Sequence, residues 1–112
     1  MSACERISQE LQFTFLDTET VSNAKLAQAG CFGVILVPSG SDLIGKDLQF
    51  LAHSPDALYA DTPLLSTAKT LVAGANPLTA DEVAEVGAVK YLKLSVNSAV
   101  DGDATCVLLW KS

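Results

Sequence analysis

The sequence predicts an all-β fold, an antiparallel β-sandwich or jelly roll with one short helical turn near residues 79–86. Short apolar runs recur along the chain, and several alternate apolar with polar residues as half-buried strands do. Clusters of Gly, Pro, Ser, Asn and Asp separate these runs, which is typical of turns between strands. A length of 112 residues suits one compact domain. We expect that domain at 11–112, behind an N-terminal arm at 1–10.

The first part of the chain contains five predicted strands, at 11–16, 25–27, 31–37, 46–52 and 58–60. The first of them alternates, with Leu11, Phe13 and Phe15 on one face. The third is almost wholly apolar and β-branched. Turn formers follow it at 38–41, so this run predicts a strand buried on both faces or packed under a loop.

The second part of the chain contains a predicted helix and three predicted strands, the strands at 68–73, 89–96 and 104–110. Residues 74–77 predict a turn that ends the first of these strands. Thr79 and Glu82 have the spacing of a capping box, and Gly87 predicts the end of the helix. Residues 97–103 predict a polar, hairpin-like connection between the last two strands.

Alternate positions of these strands supply a candidate core between two sheets. Apolar side chains from most of the predicted strands contribute to it. The predicted core residues are Phe13, Phe15, Val34, Leu36, Leu48, Phe50, Leu71, Leu92, Leu94, Val107 and Leu109. A core of this kind lets a domain of this length fold without disulfides, metal or cofactor.

The amino-acid composition narrows the class of partner that this chain is expected to bind. Apolar residues make up 49% of the sequence, which is high for a small protein that must cover its core with polar side chains. We favour the interpretation that some apolar surface faces a partner; a thin sandwich rich in Ala is the alternative. Thirteen acidic and seven basic residues give a net charge of −6. Nucleic acid and anionic membranes are therefore poor partners, because both attract basic surfaces.

The sequence predicts no targeting signal, no disulfide framework and no zinc site. No charged segment followed by an apolar one opens the chain, and the longest apolar stretch, near 31–37, is too short to span a bilayer. Cys4, Cys31 and Cys106 form no Cys-x-x-Cys pair, so neither a disulfide framework nor a zinc site is indicated. We expect reduced thiols and a protein made and kept in a cytoplasm-like space.

The sequence indicates no catalytic, cofactor-binding or metal-binding constellation, and we expect no enzyme. His53 is the single histidine, and no motif supplies it with a nucleophile or an acid-base partner. A surface loop histidine is the favoured interpretation. Asp101-Gly102-Asp103 resembles part of a calcium loop but lacks the further ligands. A plain turn is therefore favoured, with Gly102 available for positive φ.

The order of several segments is more specific than any one of them. The segments are Gly33-Val34-Ile35-Leu36-Val37-Pro38, LIGKDLQFL at 43–51, Ser54-Pro55-Asp56, Tyr59, VKYLKL at 89–94 and ATCVLL at 104–109. In this order they resemble the head decoration, or cement, proteins of tailed bacteriophages. The likeness covers about residues 26–111. It departs from the group's pattern at 52–55, and the first 25 residues are not matched.

The resemblance implies a jelly-roll domain that binds the outside of a capsid and stabilises contacts between neighbouring subunits. The implied partner is the major capsid protein, with self-association on the capsid as a dimer or trimer. The implied location is the exterior of the virion, after synthesis in the host cytoplasm. No cofactor is implied. A different class of function, a carbohydrate-binding module of a virion or cell surface, is the alternative.

Candidate partner-binding side chains come from the arm, the first strand, one loop and the C-terminal strand. They are Ile7, Leu11, Phe13, Phe15, Tyr59 and Trp110. The arm and first strand are expected to reach across a neighbour and contribute an edge there. Trp110, with Tyr91 on an adjacent predicted strand, is either an exposed aromatic platform for sugar rings or a seal over the open edge of the core. The second interpretation is favoured.

Overall fold

The computed structural model describes residues 8–27, 32–87 and 89–111. Within those ranges the chain forms nine strands and one short helix. The strands are β1 (Ser8–Phe15), β2 (Lys25–Leu26), β3 (Phe32–Val37), β4 (Asp47–Ala52), β5 (Thr62–Pro63), β6 (Lys69–Thr70), β7 (Gly74–Pro77), β8 (Tyr91–Val96) and β9 (Ala104–Lys111). The helix, α1 (Ala80–Val86), lies between β7 and β8. The predicted all-β class is confirmed.

The strands form two antiparallel sheets. Sheet A has the order β1-β9-β3-β7, and sheet B has the order β2-β8-β4-β5, with β6 also paired to β4. The two sheets enclose an apolar core, which confirms the predicted β-sandwich. The jelly-roll connectivity stays a prediction.

The first and last strands pair along their whole length. Ser8 lies opposite Lys111 at one end of this ladder, and Phe15 lies opposite Ala104 at the other. On its other side β9 pairs with β3, so β9 is a central strand of sheet A. Because β1 begins at Ser8 and not at residue 11, the last residues of the predicted arm belong to the sheet.

The core contains side chains from both sheets. Seven of the predicted core residues are buried, namely Phe13, Phe15, Leu48, Phe50, Leu71, Leu92 and Leu94. Burying a Leu or Phe side chain contributes about 1.5–3 kcal/mol. The facing layers of these residues are therefore the main stabilising contact between the sheets.

The predicted pleat of β3 and β9 is wrong by one residue. Val34, Leu36, Val107 and Leu109 lie on the outer face of sheet A and not in the core. The buried side chains of these two strands are Ile35, Val37, Ala104, Cys106, Leu108 and Trp110. Both strands are apolar at successive positions, so alternation does not distinguish their faces. A shift of one residue then exchanges the two faces completely.

Two predictions about short segments are also wrong. Residues 58–60 form no strand, and residues 74–77 form the edge strand β7 where a turn was expected. The Asn76 side chain holds β7 in place, because its oxygen accepts the Val72 N–H and its nitrogen donates to the Ile35 carbonyl. Pro77 fits because one side of an edge strand needs no ladder hydrogen bonds.

The connection between the last two strands crosses from one sheet to the other. β8 belongs to sheet B and β9 belongs to sheet A, so residues 97–103 do not close a hairpin. Gly102 has a φ of 76°, as the turn prediction required. This crossover delivers the C-terminal strand to the middle of sheet A.

The predicted helix and its capping box are confirmed. Thr79 Oγ1 accepts the N–H of Glu82, and Glu82 Oε1 accepts the N–H of Thr79. Lys69 Nζ lies 3.0 Å from the same Glu82 oxygen, which joins the helix to β6. Partial burial raises the pKa of Glu82, but the Thr79 N–H and Lys69 outweigh it, and the pKa is lowered overall.

Replacing the cap residue tests how much the helix contributes to the fold. We expect Thr79→Ala to lower the free energy of unfolding by about 1 kcal/mol, because the N–H of Glu82 loses its acceptor, Thr79 Oγ1. Thr20→Ala is the matched control, since Thr20 is exposed and caps nothing. Urea denaturation followed by circular dichroism measures both. Equal midpoints for the two variants would contradict the assignment.

Candidate functional site

The outer face of sheet A carries apolar side chains that the core does not use. Residues opposite one another in an antiparallel ladder share a face of the sheet. Val34 of β3 lies opposite Leu109 of β9 on one side and opposite Pro77 of β7 on the other. Leu36 of β3 lies opposite Val107 of β9. We call this set the apolar face, and it consists of Phe32, Val34, Leu36, Ala75, Pro77, Val107 and Leu109.

Much of the apolar face is open to solvent. Phe32 is 62% exposed and Leu36 is 37% exposed, and Ala75 and Pro77 of β7 are exposed beside them. Contiguous exposed apolar surface is uncommon on globular domains and marks interaction sites. The apolar face is therefore the candidate functional site of this chain.

A depression with a volume of about 420 Å³ lies at one end of the apolar face. It is lined by Gln9, Glu10, Phe32, Gly33, Val34, Leu109, Trp110 and Lys111. Glu10 and Lys111 form no ion pair with any described residue. An apolar pocket with charged neighbours is suited to bind an apolar side chain of a partner that is flanked by polar groups. Anchor residues at the centre of protein interfaces have this arrangement.

Gly33 lines this depression and lies directly beside Trp110. A Cβ atom at this position would lie 2.6 Å from Trp110 Cε3 and 2.8 Å from Leu78 Cδ1. Only Gly therefore lets the indole ring pack directly against β3. Trp110 is 3% exposed, so its ring seals the edge of the core, which is the interpretation the sequence favoured.

Four of the predicted partner-binding side chains pack in the core. Phe13 and Phe15 are fully buried, and Leu11 and Trp110 are nearly so. These side chains face sheet B because β1 pairs with β9 of the same chain, and they do not form an exposed surface for a partner.

The two remaining predicted residues lie apart from these four. Tyr59 is 48% exposed, and its hydroxyl donates to the main-chain oxygen of His53. Ile7 lies outside the described residues. The structure therefore brings no two of the predicted partner-binding residues together on one exposed surface among those that it describes.

His53 belongs to a small charged cluster near Tyr59. Its Nδ1 atom lies 2.8 Å from Asp61 Oδ1, and Lys93 Nζ lies 3.3 Å from Asp61 Oδ2. The hydrogen bond from His53, together with Lys93, lowers the pKa of Asp61 below its ordinary value of 3.8, although burial acts in the opposite direction. The cluster joins the loop after β4 to strand β8.

Sequence reasoning missed Asp61 as the partner of His53. The two residues are 8 positions apart, and only the loop conformation brings them together. Within the described ranges, no hydroxyl or thiol is hydrogen-bonded to the imidazole, and the neighbouring Ser54 Oγ accepts the N–H of Leu58. An Asp–His pair without a nucleophile orients a loop but does not define a catalytic site.

Aspartate carboxylates accept main-chain hydrogen bonds in and around the acidic turn at 101–103. Asp42 Oδ2 accepts the N–H of Asp101, and Asp17 Oδ1 accepts the N–H of Gly102. Asp103 Oδ1 in turn accepts the N–H of Asp17. In the part of the chain that the structure describes, no group of His, Cys, Asp and Glu is placed to hold a metal ion. These hydrogen bonds join the turn to Asp17 and Asp42.

Comparison with known proteins gives no relative of this chain. No protein family, no curated protein and no solved structure matches it. In the described ranges no helix has the length and apolar character needed to cross a membrane.

Adding one methyl group beneath the depression tests the Gly33–Trp110 contact. We expect Gly33→Ala to lower the free energy of unfolding by about 1–3 kcal/mol, because the indole must move to accommodate the Cβ atom. Tryptophan emission should shift to longer wavelength as Trp110 becomes wetter. Ala75→Ser, on the exposed neighbouring strand, is the control and should change neither quantity. Unchanged stability and emission in Gly33→Ala would refute the close packing.

The charged cluster predicts a pH-dependent contribution to stability. The lowered pKa of Asp61 means that the folded state favours its ionised form, so the contribution is present above pH 3.8 and is lost as pH falls through the folded pKa. At neutral pH we expect Asp61→Asn to cost about 1 kcal/mol or less, because the cluster is partly exposed. Urea titrations at several pH values measure this cost. A cost that persists in strong acid would contradict the ionic origin.

Proposed function

We propose that this chain is a structural virion protein that decorates a bacteriophage capsid and stabilises contacts between major capsid subunits. In this proposal the apolar face of sheet A docks on the outer surface of the shell. The single observation that carries the proposal is an apolar surface on a sheet whose opposite side already covers the core. The jelly-roll connectivity and the capsid as partner come from the sequence resemblance.

The form of the apolar face favours a protein surface as its ligand. Protein interfaces combine an apolar centre with a polar rim. Here the centre lies on β3, β7 and β9, and the outward side chains of β1, Glu10, Gln12 and Thr14, form a polar border along one side. A sheet face of this kind matches an extended, flat partner better than a small molecule, which binds in a deep cleft.

Decoration of a shell also suits the rest of the chain. A domain that binds the assembled shell, and not its free subunits, stabilises the shell by mass action. Many copies with modest individual affinity suffice, because they act on the same particle. The proposed location is the exterior of the virion, after synthesis in the host cytoplasm.

The carbohydrate-binding alternative gains no support from the aromatic residues. A sugar platform built on Trp110 needs an exposed ring, and that ring is buried. Tyr91 is only partly exposed, and Lys90 Nζ lies 5.6 Å from the centre of its ring. No described aromatic pair forms an open platform there.

Substitutions on the apolar face test the proposal directly. We expect the tagged protein to cosediment saturably with purified capsids of its parent phage. Phe32→Ser and Leu36→Ser should each weaken this binding by about tenfold or more, the effect of removing an apolar anchor from an interface. Leu58→Ser is the matched control, because Leu58 is 83% exposed on a loop away from the apolar face.

Circular dichroism melting curves establish that each variant is folded before binding is measured. Capsid binding that is equally affected by Leu58→Ser and Leu36→Ser would place the docking surface elsewhere. Absence of binding to any capsid, together with saturable retention on a glycan array, would instead favour the carbohydrate-binding alternative.

A further inference from the structure

Asp101 and Gly102 form the only Asp-Gly pair in the sequence, and no Asn-Gly pair occurs. Such a pair rearranges without an enzyme, because Gly has no side chain to keep its nitrogen away from the preceding side-chain carboxyl carbon. Both residues are exposed, in the crossover between β8 and β9. Among the described residues, none donates a hydrogen bond to the Asp101 carboxyl group. This carboxyl group is therefore free to turn towards the Gly102 nitrogen.

The rearrangement moves the main chain of Asp101 from its own carbonyl carbon to the side-chain carboxyl carbon, Cγ. The Gly102 nitrogen attacks Cγ of the protonated carboxyl group, so that an N–Cγ bond forms and a Cγ–O bond breaks. The hydroxyl group and the amide proton leave together as water, and a five-membered cyclic imide remains. Water then breaks the bond between the nitrogen and the main-chain carbonyl carbon. The product, isoaspartate, has the same composition but one more methylene group in its main chain.

Two distant carboxylates hold the main chain of this pair. Asp17 Oδ1 accepts the N–H of Gly102 at 2.8 Å. Asp42 Oδ2 accepts the N–H of Asp101 at 2.9 Å. The acceptors lie 85 and 59 positions from their donors, so both hydrogen bonds depend on the folded chain.

We propose that Asp101–Gly102 is a site of isoaspartate formation and that the Asp17 carboxylate keeps this reaction slow in the folded protein. Ring closure consumes the amide proton that Asp17 holds, so it breaks a hydrogen bond to an ionised group, which is stronger than one between neutral groups. The nitrogen also gains negative charge as the proton leaves, and a carboxylate 2.8 Å away disfavours that charge. The bond to Asp42 restrains the main chain of Asp101 in the same turn.

Isoaspartate at residue 101 changes the path of the crossover. The extra methylene group shifts Asp103, whose carboxylate accepts the N–H of Asp17. Ala104 follows directly, and this buried residue begins β9. Because β9 is a central strand of sheet A, the rearranged protein is expected to melt at a lower temperature. Isoaspartate formation in the free protein is independent of the proposed function.

Peptide mapping by mass spectrometry, after the full chain has been kept at neutral pH for several weeks, measures the rate. We expect Asp17→Ala to raise it by roughly three- to tenfold, the effect of losing one exposed hydrogen bond. Asp17→Asn keeps an acceptor oxygen without the charge and should give a smaller rise, as should Asp42→Ala. In concentrated urea, wild type and all three variants should react at one common, faster rate. Asp101→Glu is the blank, because its side chain cannot close a five-membered ring.

Two control variants separate the contact from general effects. Asp56→Ala removes the same charge from another exposed aspartate, on the loop after β4. Thr79→Ala weakens the helix cap, and so the stability of the fold, without touching the turn. Both should keep the wild-type rate.

A folded wild-type protein that rearranges as fast as it does in urea overturns the proposal. So does a rate that Asp17→Ala leaves unchanged or lowers, since Asp17 would then be neutral or would assist the reaction. An equal rise in Thr79→Ala also overturns it, because global unfolding would then set the rate. If melting curves show that Asp17→Ala is unfolded, Asp17→Asn and Asp42→Ala decide, and wild-type rates in both reject the proposal.

Discussion

The pairing of β9 with β1 on one side and β3 on the other is the contact on which the rest of this structure depends. It sets the C-terminal strand in the middle of sheet A and forces its side chains alternately into the core and out to solvent. Cys106, Leu108 and Trp110 point inward. Burial raises the pKa of the Cys106 thiol to about 12, so this residue is an inert part of the core and not a nucleophile. The same pleat turns Val107 and Leu109 outward, where they form part of the apolar face.

Local physical chemistry made part of this fold predictable. The capping box of Thr79 and Glu82 acts within one turn, so its sequence signature was sufficient to locate the helix. The alternation of Phe13 and Phe15 in β1, and of Leu48 and Phe50 in β4, identified their buried faces for a similar reason. Where contacts between residues far apart in the sequence determine the structure, sequence patterns did not predict it. β7 pairs with β3, a strand distant in the sequence, and the Asn76 amide donates to the Ile35 carbonyl of that strand. His53 meets Asp61 only through the conformation of its loop.

Composition predicted a partner-facing apolar surface but not its position in the fold. An apolar fraction of 49% is high for a small protein. Part of this excess is exposed in the structure, and a partner that covers it stays a prediction. The excess resides in β3 and β9, where successive residues are apolar. Because such strands carry no alternation, the outward residues Val34 and Leu36 were assigned to the core, and the inward residue Trp110 was considered for a surface role. Pairing partners, which a single sequence does not reveal, resolve the ambiguity.

An exposed apolar sheet face creates a risk of uncontrolled association, and the chain limits this risk in three ways. The outward residues of β1 are polar, so the apolar face does not reach the edge at which another strand can be added. The remaining edges are short or contain Pro, which blocks growth of the sheet in the other direction. A net charge of −6 keeps free copies apart at long range.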